Sequence, residues 1–355
     1  MATPGKPVTT GPTSRMSSGG RAHERLVVCA RHLDTAHRVS PNQTSSSDAL
    51  PLGVDLTRPS ADTIDYVVKN FFLTPVQEEF YKTNGYLVIK DLVPHDKIEK
   101  YREEFDQICK SGKKSSGMIV MKDIALRTSS GERAVNKIQD FRENETLFSY
   151  CTLPEILRYA ECFVGPNIMA MHTMLINKPP DPGTKTSRHP MHQDLHYFPF
   201  RPAERIVCSW TAMEKVHIAN GCLVVIPGSH KGHLLEHGYP KWKGGVNKAY
   251  HGVLHYDESM PRVHLEMEKG DTVFFHPLLL HGSGANKTTG FRKAISCHYA
   301  SSDCHYIDVM GTTQEIIAEE VNDIAKRKLG DQVQLSFQDI WALKGRLVQG
   351  ERINL

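Results

Sequence analysis

The sequence predicts a mainly β chain with flanking helices (α+β), its core a sandwich or barrel of the jelly-roll kind. Three observations carry this. Between about residues 168 and 300, short β-prone runs alternate with turn chemistry, namely Pro-Pro-Asp-Pro-Gly, Pro-Gly-Ser, Lys-Gly-Asp and Gly-Ser-Gly, and short strands at that spacing close into two-layered or barrel folds. Helical periodicity gathers at the two ends. No stretch approaches the roughly 18 uninterrupted apolar residues of a membrane span, and mean hydropathy is −0.39.

The elements follow in order. Residues 1–60 are rich in Ser, Thr, Gly and Pro; such a segment cannot bury enough apolar surface to order itself, and it is expected to be a disordered leader that is removed. The rest, 61–355, is expected to form one domain with its β core at about 117–300 and C-terminal helices at about 312–349. Thr74-Pro75-Val76-Gln77 is a capping box with Pro at the first helical position, and Gly85 ends that helix. A strand at 86–89, a charged amphipathic helix at 96–110 and a helix at 153–163 come next. The β runs are 168–176, 206–213, 222–226, 263–267, 272–275 and 294–299; helices return at 314–329 and 337–347.

Charge and cysteine exclude several classes. The 355 residues carry 43 Lys+Arg against 40 Asp+Glu, a formal +3. Residues 1–50 hold Lys6, Arg15, Arg21, Arg25, Arg31 and Arg38 against Glu24, Asp34 and Asp48, leaving 37 of each sign in the remainder. A formally neutral body is not a dedicated nucleic-acid binder, for which a domain pI above about 9 is expected. Any attraction for an anionic substrate must be local to its site. The eight cysteines include no CxxC pair, so a reduced compartment is expected rather than a disulfide framework or a zinc ribbon.

The chemistry lies in His192-Gln193-Asp194. On an extended strand, residues i and i+2 share a face, so His192 and Asp194 can bind one metal. An HxD alone is weak evidence, since roughly one is expected by chance and the chain has two more, at His32 and His255. What distinguishes His192 is the chain downstream: a Lys269-Gly270-Asp271 turn, a strand at 272–275, then His281, and Arg292 at the head of another strand. Two His and one carboxylate leave open positions on an octahedral iron. An Arg on a neighbouring strand can hold the far carboxylate of a bidentate oxo-acid by its planar fork. His196, His276 and His298 are read as supporting rather than ligating.

This order of HxD, distal His and Arg resembles the iron and 2-oxoglutarate-dependent dioxygenases. The stretches 151–159, 165–174, 192–200, 269–284 and 291–297 are similar to the branch of that family acting on methyl-branched acyl-CoA esters, and the likeness runs from about residue 66 to 355. The resemblance implies a double-stranded β-helix (jelly-roll, cupin-like) core. It implies Fe(II) on His192, Asp194 and His281, with 2-oxoglutarate and O2 as cosubstrates and ascorbate to keep the iron reduced. Arg292 and Ser283 would meet the distal carboxylate of 2-oxoglutarate, with Lys137, Met174 and Trp210 around it. Read from the residues alone, Trp210 and Met174 are equally packing residues and Lys137 a solvated strand charge. The implied reaction is 2-hydroxylation of phytanoyl-CoA and other 3-methyl-branched acyl-CoAs, coupled to decarboxylation of 2-oxoglutarate to succinate and CO2, the first step of peroxisomal α-oxidation. Lys185 and Arg188, in the loop before His192, are candidates for the CoA phosphates. A hydroxylase of another substrate, or a non-catalytic cupin-like binder of metal or acyl-CoA, are the alternatives; a mere binder has no need of Arg292.

The leader contains Arg25-Leu26 and His32-Leu33 at the spacing of an N-terminal peroxisomal targeting nonapeptide. The same basic, acid-poor residues suit a mitochondrial presequence; the family resemblance favours the peroxisomal matrix, reached through an import receptor. The C-terminal Ile353-Asn354-Leu355 is no second address. A lipid carrier protein is a further expected partner, because a branched acyl-CoA is poorly soluble.

Overall fold

The computed structural model describes residues 64–68, 72–126, 131–243, 245–330 and 335–355, so the targeting pattern Arg25, Leu26, His32 and Leu33 lies outside the described residues. Thr74 opens helix α1 (Pro75–Asn84) as its residue types require. Thr74 Oγ1 accepts the Gln77 N–H at 3.2 Å, Gln77 Oε1 accepts the Thr74 N–H at 3.0 Å, and Pro75 takes a position whose N–H has no helical partner. Gly85 closes the helix at φ 79°, and a Cβ there would stand 2.4 Å from the His230 ring, so glycine is required twice over.

The chain continues as β1 (Tyr86–Ile89), α2 (His95–Ser111), β2 (Ile119–Lys122), β3 (Val135–Gln139), α3 (Glu145–Phe148), α4 (Pro154–Val164) and β4 (Ile168–Lys178). Then come β5 (His189–His192), β6 (Phe200–Arg201), β7 (Ile206–Ala212), β8 (Leu223–Val225), β9 (His237–Gly238) and β10 (Gly252–Val253). The last elements are β11 (Val263–Leu265), β12 (Thr272–Phe275), β13 (His281–Ser283), β14 (Arg292–Ser301), β15 (His305–Tyr306), α5 (Glu315–Leu329), α6 (Phe337–Lys344) and β16 (Arg346–Gln349).

Two antiparallel sheets hold the site. The larger runs β1-β12-β7-β14-β4-β3-β2, and the smaller runs β11-β8-β13-β5. Their facing sides share one core in which Trp210, Ala212 and Ala294 of the larger sheet meet Leu223, Val225 and Leu265 of the smaller. The other face of the larger sheet packs on α2 and α4, with Phe105, Ile156 and Phe163 against Val207, Phe274 and Ile295. Burying a side chain such as Phe163 or Phe274 contributes about 1.5–3 kcal/mol. Covered on both faces, β14 is buried along its whole length, which is why its sequence lacks a polar-out alternation.

The sheet extends beyond the expected 117–300. β1 pairs β12 at one edge, and residues 346–349, expected to be the end of a helix, form β16 against the first residues of β4. The 11-residue β4 offers more edge than β3 covers, since β3 pairs only Met174 to Ile176. A local pattern carries no trace of such a distant partner. Helix α6 therefore stops at Lys344. Among the described residues, no helix is long and apolar enough to cross a membrane.

Candidate active site

Antiparallel register brings the first two predicted ligands together: β13 pairs β5 with His281 opposite His192. Strand β5 ends at His192. Gln193 stays extended (φ −118°, ψ 127°), and Asp194 begins a single 3-10 turn, Asp194–Tyr197, so His192 and Asp194 still turn to one side. Asp194 Oδ1 lies 3.1 Å from His192 Nε2 and 3.7 Å from His281 Nε2, and the three ligand atoms all fall within 4.8 Å of one another.

The rings are held in the tautomer a metal needs. His192 Nδ1 donates to Pro190 O at 2.9 Å and His281 Nδ1 to Leu279 O at 3.0 Å, which leaves both Nε2 lone pairs facing the carboxylate. His298, on β14, donates from Nε2 to Asp194 Oδ2 at 2.7 Å and fixes the carboxylate rotation. Burial pushes the Asp194 carboxyl up, but His281 and His298 outweigh it and hold the group well below the ordinary carboxylate range. Burial and the neighbouring His192 bring His281 down to about 4. Two imidazoles presenting Nε2 and an ionised carboxylate on one side of a cavity are a donor set that fits iron(II) and leaves coordination positions open.

A cavity of about 90 Å³ faces this triad, lined among others by Lys137, Met174, Trp210, Ser283 and Arg292. Arg292 opens β14 directly opposite Lys178 of β4. Its guanidinium is 2% exposed and donates from one terminal nitrogen to Gly221 O at 2.7 Å; Nε and the other terminal nitrogen are buried without a partner. Burial lowers Arg292 to about 10, which leaves it charged. Lys178, also buried, donates from Nζ to Ser283 Oγ and Gly284 O, each at 2.9 Å, and to Ser187 O. Burial and Arg292 push it well below the usual lysine value. A buried guanidinium with two open donors calls for an anion between it and the triad. A dicarboxylate such as 2-oxoglutarate meets that need.

The backbone around this pair is tight. Gly221 has φ 78°, and a Cβ there would lie 2.5 Å from Gly284 O and 2.9 Å from Lys178 Cδ. Lys137, expected from its neighbours to be a solvated strand charge, is 9% exposed, and burial brings it down to about 8. Its Nζ sits 4.8 Å over the Tyr250 ring. Trp210 is core and cavity wall at once, with the Arg292 guanidinium 5.3 Å from its ring.

Two predicted residues are placed elsewhere. Lys185 and Arg188 line none of the cavities around the triad. The Asp181 carboxylate accepts the N–H groups of Gly183 and Lys185, each at 2.8 Å, and curls the loop so that Lys185 stands exposed at φ 60°. Arg188 stacks on Trp242, 3.4 Å from its ring centre. Conversely, Lys178 is a site residue absent from those the sequence singles out. The available signal is alternation: Met174, Ile176 and Lys178 are two apart on β4 and line the same cavity. Gln193, the middle residue of HxD, faces away and accepts the Leu235 N–H at 2.8 Å while donating to His233 O and Leu278 O. His276 lies between strands, with Tyr66 edge-on to its ring and His230 tilted beside it.

The comparisons with known proteins agree with this geometry. A family model described as Phytanoyl-CoA dioxygenase (PhyH) matches residues 81–294. The chain belongs to the phytanoyl-CoA dioxygenase family. Among its relatives here, the "Phytanoyl-CoA dioxygenase, peroxisomal" of Rattus norvegicus is 62% identical over 83% of this chain and 88% of its own length. The Homo sapiens protein of the same name is 61% identical over 82% and 87%. The solved structure of SnoK, a non-heme alpha ketoglutarate dependent carbocyclase from nogalamycin biosynthesis, superposes with a TM-score of 0.53 at 19% identity. It covers 82% of this chain and 99% of that one. At that identity the likeness shows the fold, and the fold of this family member is the double-stranded β-helix.

The buried histidines make stability depend on pH. Burial holds His172 at about 4 and His237 at about 3, against an ordinary 6.5, with Asp140 opposing the shift at His172 and the Leu235 carbonyl at His237. Below pH 6.5 the unfolded chain binds protons at these sites that the folded chain refuses, so stability falls as pH falls. The metal-free protein is expected to lose urea resistance continuously from pH 6.5 to about 4. An unchanged midpoint over that window would show that these rings are protonated in the fold.

Proposed function

We propose that this family member is an Fe(II)- and 2-oxoglutarate-dependent dioxygenase that hydroxylates C2 of phytanoyl-CoA and other 3-methyl-branched acyl-CoAs, releasing succinate and carbon dioxide. One observation carries the cosubstrate: Arg292, buried with two open donors beside Lys178, faces the His192, Asp194 and His281 group across a single cavity. The names of the 61–62% identical relatives support the substrate and a peroxisomal location.

His192, Asp194 and His281 would hold the iron, which when bound supplies the redox chemistry coupling oxidative decarboxylation of the oxo-acid to C–H hydroxylation. The protein's part is position. The carbonyls of Pro190 and Leu279 keep both rings with Nε2 inward, and His298 keeps Asp194 from rotating. Arg292 takes the distal carboxylate in its planar fork, Lys178 fixes the Ser283 hydroxyl, and Trp210 with Phe275 and Leu223 excludes water. Ascorbate would keep the metal reduced. Arg25, Leu26, His32 and Leu33 would be read by an import receptor that delivers the enzyme to the peroxisomal matrix, where a lipid carrier presents the substrate.

The test is 2-oxoglutarate turnover with Fe(II) and ascorbate, with and without phytanoyl-CoA. Succinate formation stimulated by the ester, with 2-hydroxyphytanoyl-CoA as product, is expected. Absence of stimulation by any branched acyl-CoA rejects the substrate.

A further inference from the structure

Hydroxylation at C2 sets a geometric problem that the cosubstrate cavity does not solve. C2 adjoins the thioester, so from the metal the substrate must run two ways: an apolar branched chain in one direction and a polyanionic CoA in the other. A second cavity, of about 140 Å³, shares Lys137, Met174, His192, Asp194 and His298 with the first. Part of its wall is apolar and aromatic, from Phe198, Ile317, Val321, Phe337 and Trp341, where α5 and α6 cover the sheet.

Elsewhere the same cavity reaches Met121 and Lys248, and these two residues also line a surface groove of about 360 Å³ together with Lys122 and Tyr239. The chemistry changes there. Lys122 and Lys248 are exposed, and residues 237–256 contain Lys241, Lys243 and Lys248 but no Asp or Glu. Two carboxylates lie near this rim: Glu320, which feels Lys248 and whose oxygens accept from His251 Nε2 at 3.0 Å and Tyr239 Oη at 2.8 Å, and the buried Asp123, whose oxygens accept from Asn247 Nδ2 at 2.9 Å and Thr186 Oγ1 at 3.3 Å. Lys344, at the apolar end, is committed to Asp140 at 3.1 Å. The formally neutral body thus places two exposed lysines at one outlet of the cavity and apolar surface at the other.

We propose that the acyl-CoA straddles this junction: the methyl-branched chain lies against Phe198, Ile317, Val321 and Trp341, and the CoA phosphates rest in the outer groove on Lys122 and Lys248. This rests on the acyl-CoA reading above. It replaces Lys185 and Arg188, whose side chains line none of these cavities, as the phosphate contacts. Phosphate groups pair well with lysine as a point charge, and at an exposed rim the attraction is screened by salt.

Charge reversal at the groove and bulk at the chain wall separate the two halves. With iron-loaded full-length enzyme, the Lys122→Glu/Lys248→Glu double variant should raise the KM for phytanoyl-CoA about tenfold with kcat retained, and the increase should shrink at high ionic strength. Calorimetric titration with phytanoyl-CoA should show the same loss of affinity. Lys185→Glu should leave both unchanged. Val321→Trp should abolish turnover of phytanoyl-CoA while retaining that of 3-methylbutanoyl-CoA, whose chain is too short to reach it. An unchanged KM in the double variant, or an increase in Lys185→Glu instead, overturns the proposed path while the function stands. If the unmodified enzyme shows no acyl-CoA-stimulated turnover, the function itself falls and the path with it.

Discussion

Replacing His281 with Ala is expected to abolish coupled turnover while leaving the protein folded. Among the described residues, the Nε2 of His281 is one of two imidazole nitrogens that reach Asp194 Oδ1, and its Nδ1 is already bound to Leu279 O, so no other face of the ring can substitute. His298 stands on the other side of the carboxylate, with its Nε2 2.7 Å from Oδ2. Loss of a partner that merely orients a metal ligand costs about 10- to 100-fold in affinity or activity, and loss of a ligand should exceed that. The ring is buried in a short strand that also pairs β5 and β8 through its backbone, and those backbone bonds survive the substitution. The measurements are iron affinity and acyl-CoA-dependent succinate formation, with circular dichroism as the folding control. Hydroxylation retained in His281→Ala would show that the metal is held elsewhere.

Arg292→Met is expected to act in opposite directions on function and on stability. In the absence of 2-oxoglutarate, Arg292 is a buried cation opposite the buried Lys178, with two of its own nitrogens unpartnered. Replacing such an uncompensated charge with an apolar side chain of similar length removes a desolvation penalty, even though the bond to Gly221 O is lost. The ligand-free variant should therefore unfold at a higher temperature than the parent, while the KM for 2-oxoglutarate rises about 100-fold, because each charge-assisted bond contributes about 1.5–3 kcal/mol. By linkage, the parent should gain Tm on adding 2-oxoglutarate and the variant should not. Equal ligand-induced stabilisation of the two proteins would place the distal carboxylate away from Arg292.

Much of this site is legible in the sequence because its signals are local. The spacing of His192 and Asp194 expresses strand alternation, and it holds even though the strand ends at His192, since Gln193 remains extended. Thr74 and Gln77, three residues apart, make a cap whose partners are both in view. The choice of Arg rather than Lys at position 292 states the need for a planar fork. Lys178 is equally close to view, two alternations beyond Met174. It escapes notice because a lysine at the end of a strand ordinarily points to water, and only the two-sided burial of β4 reverses that.

The sequence by itself determined the fold class, the candidate metal and cosubstrate residues, and the order in which they occur. Only the tertiary structure decided that His281 stands opposite His192 across β13 and β5, that β16 completes the edge of β4, and that Asp181 curls the loop so that Lys185 stands exposed. The division has a physical cause. A side chain's direction within a strand or a cap follows from its nearest neighbours, whereas register, edge pairing and loop trajectory depend on hydrogen bonds to backbone many positions distant. Where the substrate enters belongs to the second kind, because its walls come from β2, the segment around Lys248, α5 and α6, which meet only once the sheets are closed.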